Sequence, residues 1–133
     1  MELSRVNYTY GSKIEAITGF SRMVKVGPFV YLAGTTSIQP DGTVYGIDNP
    51  YEQARYILEK LMLLLQDAGS KKEEVIRVKV FTTNMAYAPE IAKAFSELLY
   101  DVKPILTMIG IQMLNRPTQL VEIELDAMIG SCI

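Results

Sequence analysis

The stretch Lys103-Pro104-Ile105-Leu106-Thr107-Met108-Ile109-Gly110-Ile111-Gln112-Met113 is followed, after a short turn, by Leu120-Val121-Glu122-Ile123-Glu124-Leu125-Asp126-Ala127-Met128-Ile129. The proline ends a preceding helix and fixes an extended entry, and the β-branched and apolar residues behind it run long enough for a strand without a polar face. The second segment alternates: Val121, Ile123, Leu125, Ala127 and Ile129 point one way, Glu122, Glu124 and Asp126 the other. Together they read as a β-hairpin, with three carboxylates on one face and a first strand that needs cover on both.

Working outward, each flanking segment has its own signature. Residues 1–18 are polar and aromatic without period and read as an arm over the domain. Met23-Val24-Lys25-Val26, a turn at Gly27-Pro28, and Phe29-Val30-Tyr31-Leu32-Ala33-Gly34 form a hairpin. Asn49 caps a helix, Pro50 takes its first turn, and Glu52 is placed to reach back to the cap. Ala54, Ile57, Leu58, Leu61, Met62, Leu65 and Ala68 recur at helical spacing until Gly69 supplies a left-handed stop. Ile76, Val78 and Val80 alternate with Arg77, Lys79 and Phe81 in a strand whose polar face is basic. Pro89 opens a second helix with Ile91, Ala92, Phe95, Leu98 and Leu99 as its buried stripe. The order β-β-α-β-α-β-β predicts an α+β two-layer sandwich, a mixed sheet with two helices on one face.

Two helices cover only one face of a sheet, yet the strand from Ile105 is apolar on both. Ile105, Ile109, Ile111 and Met113 are assigned to the helices, and Leu106, Met108 and Gly110 to the uncovered side. An open apolar patch of that size implies a partner, here another subunit.

At 133 residues and 49% hydrophobic content, the chain fits one domain, residues 1–133. A net charge of −2 supplies no field for phosphate backbones, so no specific nucleic acid is expected, and the tyrosines are packing residues rather than stacking platforms. The lone cysteine, Cys132, excludes an intrachain disulfide and fits a reducing compartment. No signal core and no membrane-spanning run is present, so the cytosol is the expected location. The absence of histidine removes serine-histidine and cysteine-histidine nucleophile pairs and most zinc sites, and no glycine loop cradles a phosphate. No cofactor or metal is expected. Any acid or base is a carboxylate, Tyr, Lys or water.

The run Lys-Pro-x-x-Thr at 103–107 with the later Val-Glu-Ile-Glu strand resembles the end of the RidA family, also called YjgF or L-PSP. The resemblance runs from about Gly19 to Ala127 and takes in the hairpin from Met23 to Gly34, the helix end Asp67-Ala68-Gly69-Ser70 and the strand Val75 to Thr82. It implies small trimers with ligand clefts between subunits, whose best-known members hydrolyse reactive enamines and imines. It also implies site roles: Glu122 as the catalytic glutamate that orients water, Gly34 as the hairpin-end glycine of the cleft, Phe20 as its aromatic wall, and Met108 at a position that is often cysteine. Active deaminases carry an arginine two residues after the proline to grip the substrate carboxylate, and here that residue is Leu106. Gly19-Phe20-Ser21-Arg22 is similar to a divergent branch that also lacks the arginine. Arg22 or Arg116 is then a candidate replacement, against the plain reading of both as solvated surface arginines. Glu124 and Asp126 are expected to pair with Arg77 or Lys79. The residues leave open a hydrolase of imine-like compounds and a non-catalytic trimeric ligand-binding or regulatory protein. The ribonuclease or translation-inhibitor activity under which many family members are labelled has no support in these residues.

Overall fold

The computed structural model describes residues 2–132. Nine principal elements follow one another: β1 (Arg5–Tyr8), α1 (Lys13–Thr18), β2 (Met23–Val26), β3 (Phe29–Thr35), α2 (Pro50–Asp67), β4 (Val75–Thr82), α3 (Ala88–Leu99), β5 (Ile105–Gly110) and β6 (Val121–Met128). The strands form one sheet in the order β1-β2-β3-β6-β4-β5, mixed because β4 and β5 run parallel while the other pairs are antiparallel.

Capping sets the main helix. The Asn49 side chain accepts from the Glu52 backbone N–H at 3.0 Å and Pro50 needs no partner at the first turn. Glu52 does not reach back to the cap as expected; its carboxylate accepts from the Tyr45 hydroxyl at 3.1 Å instead. At the other end Gly69, with φ +82°, closes a Schellman motif, donating to Gln66 O while Ser70 donates to Leu65 O. The buried stripe of α2, Ala54, Ile57, Leu58, Leu61 and Leu65, meets Ile91, Ala94 and Leu99 of α3 and the inner face of the sheet: Val30, Leu32, Val78, Val80, Ile123, Leu125 and Ala127. Both helices thus lie on one face, as the element order predicts.

Three expectations are corrected. The arm at residues 1–18 does not merely lie over the domain: within it β1 extends the sheet at its edge, and α1 opens on a capping box between Ser12 and Glu15. A short, mostly exposed edge strand has no buried face to write into the sequence. Secondly, β5 and β6 are not a hairpin. β5 pairs with β4 across the α3 crossover, residues 111–120 form a long connection, and β6 inserts between β3 and β4. Thirdly, the faces of β5 are reversed. Its register pairs Leu106 with Val78 and Met108 with Val80, both core residues, so Leu106 and Met108 lie on the helix side and Met108 packs against the core. Ile105 and Ile109 lie on the open side, opposite Arg77 and Phe81. A strand apolar on both faces carries no parity signal, and only the pairing decides it.

Candidate functional site

The alternation of β6 puts Glu122, Glu124 and Asp126 on the open face of the sheet. The neighbouring strand β4 presents Phe81, Lys79 and Arg77 in register with them. Lys79 Nζ stands 3.7 Å from Glu124 Oε1, and Arg77 Nε stands 3.8 Å from Asp126 Oδ2, as the cross-strand charges imply. Both pairs are long and partly exposed, so each contributes at most about 1 kcal/mol. Glu122 is the exception: its partner on β4 is Phe81, which offers no charge.

On its other side Glu122 meets β3, where the register slips between Leu32 and Thr35. Gly34 sits in this bulge, and a Cβ built on it would lie 2.9 Å from both Cδ and Oε1 of Glu122. The glycine lets the carboxylate come this close, since a side chain here would force the end of Glu122 to shift. Arg22, just before β2, donates from Nη2 to Gly34 O at 2.9 Å and to Thr35 Oγ1 at 3.1 Å. Its backbone is held too, with its N–H donating to Tyr8 O and its carbonyl accepting from Ala33 N–H. The guanidinium carbon lies 6.0 Å from the Phe20 ring centroid, within cation–π range. Four of the residues singled out in the sequence, Phe20, Arg22, Gly34 and Glu122, therefore share one neighbourhood.

Burial pushes the Glu122 carboxyl above the ordinary glutamate range, the Arg22 charge pulls it part of the way back, and the Glu124 charge adds a smaller upward push. An open depression of about 460 Å³ beside it is lined by Met113, Leu114, Asn115, Gln119 and Glu122. A second cation lies near Arg22: Lys60 of α2 donates to Ile38 O at 3.3 Å and is held below the usual lysine range, first by burial and then by the charge of Arg22.

The remaining candidates lie apart within one chain. Leu106 and Met108 are on the helix side of the edge strand, across β4 from Glu122 and on the opposite face. Arg116 stands in the connection that lines the depression, but its Nη1 donates to Gly42 O at 2.6 Å and so bridges two loops. Sequence reasoning passed over Gln119 and Gln53, which are 2% and 0% exposed. A glutamine one turn before Ile57 on an otherwise apolar stripe is the signal that marks the latter. Among the described residues no group of three or more His, Cys, Asp or Glu is placed to hold a metal, and no helix is long and apolar enough to cross a membrane.

A one-sided α+β sandwich with a partly buried, glycine-keyed glutamate on its uncovered face defines a class of small domains with a polar cleft at the sheet. The chain belongs to the family described as endoribonuclease L-PSP, the RidA/YjgF family, whose model matches residues 10–129. An uncharacterised protein of Streptomyces coelicolor is 31% identical over 121 residues, 91% of this chain and 90% of that one. A RutC family protein of Aquifex aeolicus is 27% identical over 110 residues, covering 81% and 86% of the two chains. The crystal structure of a Mycobacterium tuberculosis member of the YjgF/YER057c/UK114 family superposes with a TM-score of 0.84 at 30% identity, over 95% of this chain and all of that one.

Proposed function

We propose that the cleft at Glu122 hydrolyses a small imine or enamine, with Glu122 as its acid–base group and a homotrimer closing the cleft between subunits. The observation that supports this reading most is that Glu122, alone of the three carboxylates on β6, has no cation across β4. Two of three carboxylates on β6 have cations across β4, while Glu122 faces Phe81 and Gly34 and titrates high. A carboxyl displaced upward from its ordinary value is better matched to proton transfer near neutral pH. In the proposed reaction Glu122 accepts a proton from a water attacking the imine carbon and returns one to nitrogen. The carbinolamine then collapses to a carbonyl compound and ammonia.

Within one chain Leu106 lies across β4 and on the opposite face from Glu122, so it meets this cleft only from a neighbouring subunit of the proposed trimer, and there it limits the substrate. Where active relatives are expected to carry an arginine, an apolar side chain cannot offset the desolvation of a carboxylate. Imines of common amino acids should therefore be poor substrates, slower by roughly 30-fold to several thousand-fold for a lost charged contact of about 2–5 kcal/mol. The test is ammonia release from enzymatically generated imines by wild type, Leu106→Arg, and Leu106→Arg with Glu122→Gln. Partial gain in the single variant and its loss in the double variant support the reading; wild-type activity equal to that of an arginine-bearing relative overturns the role of Leu106. A non-catalytic binding protein is the second reading, favoured by that same leucine. It requires that wild type and Glu122→Gln bind a ligand equally and that neither turns it over.

A further inference from the structure

Gln53 lies on the buried stripe of α2 with no exposed surface, one helical turn before Ile57. A primary amide in such a place destabilises the fold unless its hydrogen bonds are made. Gln53 makes three. Its Oε1 accepts from Leu120 N–H at 2.9 Å, and its Nε2 donates to Thr118 O at 2.9 Å and Gly46 O at 3.1 Å. The other side of Leu120 is held as firmly, its carbonyl accepting from Thr83 N–H at 3.1 Å and from Thr82 Oγ1 at 3.0 Å. Next to it Gln119 donates to Thr36 Oγ1 at 3.0 Å and accepts from Arg116 N–H at 2.9 Å. Leu120 is the last residue before β6, and Glu122 follows two residues later.

We propose that Gln53 is a positioning residue for Glu122: by pinning Leu120 it sets the register and depth at which β6 delivers the Glu122 carboxylate against Gly34 and Arg22. The functional weight of this rests on the reading of Glu122 given above, but the positioning is measured by the titration of Glu122 itself. A one-residue slip would turn Glu122 into the core, and a smaller slackening would let its carboxylate leave Gly34 for water. Nothing else from α2 holds the entry of β6 by a side-chain hydrogen bond among the described residues.

The experiment is a pH titration of glutamate side-chain carboxyls by carbon-13 NMR, with Glu122→Gln assigning the resonance. Gln53→Met keeps the volume and removes all three bonds. Leu65→Ala, on the same helix about 18 Å away at 1.5 Å per residue, is the stability control. Both variants are expected to lower Tm by roughly 5–15 °C, but only Gln53→Met moves the Glu122 midpoint down toward an ordinary glutamate. An unchanged midpoint in folded Gln53→Met overturns the proposal. A second measurement needs no folded Gln53 variant: in wild type the Leu120 amide and the Gln53 side-chain amide should shift with the same midpoint as Glu122, and should stop doing so in Glu122→Gln. Absence of that shared midpoint also overturns it. Should Glu122→Gln retain full ammonia release, the functional reading fails while the NMR result still decides the role of Gln53.

Discussion

At Gly34 the backbone has no unusual conformation, yet a side chain there would crowd the end of Glu122, which must move to make room. Gly34→Ala should therefore fold, losing about 1–2 kcal/mol from crowding, and should drive the Glu122 carboxylate toward solvent. Urea denaturation checks the first part; a Glu122 midpoint unchanged from wild type would contradict the second. Glu122 also makes a signed prediction about pH. Its folded carboxyl titrates above the ordinary 4.5, so between those two values the folded state holds a proton that the unfolded chain has released. The stabilisation is fully present below 4.5 and is lost as pH rises through the folded value. Relative to Glu122→Gln, wild type should lose stability across that window and run parallel to it outside. Glu15 and Glu74 have the opposite sign, since hydrogen bonds from Ser12 and from Gly130 N–H hold their carboxyls below the ordinary range. Their contribution fades as pH falls, equally in both proteins, and cancels from the comparison.

Strand β5 shows at the scale of an element what pairing adds to pattern. Its residues are apolar throughout, so nothing in the segment distinguishes the side that packs on helices from the side left open. The parallel register with β4 makes that choice, placing Met108 against the core and Ile109 with Phe81 on the open face. Asp at 108 should leave an uncompensated charge in the packed layer and cost on the order of 3 kcal/mol. Asp at 109 should leave the stability of the isolated fold within about 0.5 kcal/mol, as for an exposed position. Chemical denaturation of the two variants separates these outcomes, and equal destabilisation would mean that the parity is wrong.

The whole molecule has one covered and one uncovered sheet face. Phe29, Tyr31, Ile105 and Ile109 contribute exposed apolar surface to the latter, around the charged pairs of β4 and β6. A face of this kind is the expected contact of the proposed trimer, and Ile109→Asp should weaken it while preserving the fold. Sedimentation equilibrium at micromolar concentration should give three subunits for wild type and a shift toward monomer for the variant; a monomeric wild type refutes the assembly. The net charge of −2 argues against the activity named in the family description. Four cations, Arg55, Arg77, Lys79 and Arg22, stand near carboxylates, Arg55, Arg77 and Lys79 in ion pairs. Single-stranded RNA should therefore bind weakly and be released at physiological salt, which fluorescence anisotropy measures directly.

The two long helices, the ends of α2 and the alternation of β6 were legible because local rules govern them. Asn49-Pro50 and Gly69 mark ends by backbone chemistry, and period 2 on β6 separates Val121, Ile123, Leu125 and Ala127 from three carboxylates whatever strand lies beside it. The pairing of Glu124 and Asp126 with Lys79 and Arg77 was legible for a related reason, since both strands carry their charges on one face. The sequence thus determined the layer architecture and the face on which Glu122 stands. It did not determine which strands touch. The insertion of β6 between β3 and β4, the edge position of β1 and the facing of Leu106 and Met108 depend on pairings between segments far apart in the chain. The contact of Gly34 with Glu122, the reach of Arg22 to Gly34 O and the three bonds of Gln53 likewise arise only when the bulge in β3 and the start of β6 are fixed together. Local pattern encodes which face a residue takes on its own element; which neighbour it meets there is settled only by the register of the closed sheet.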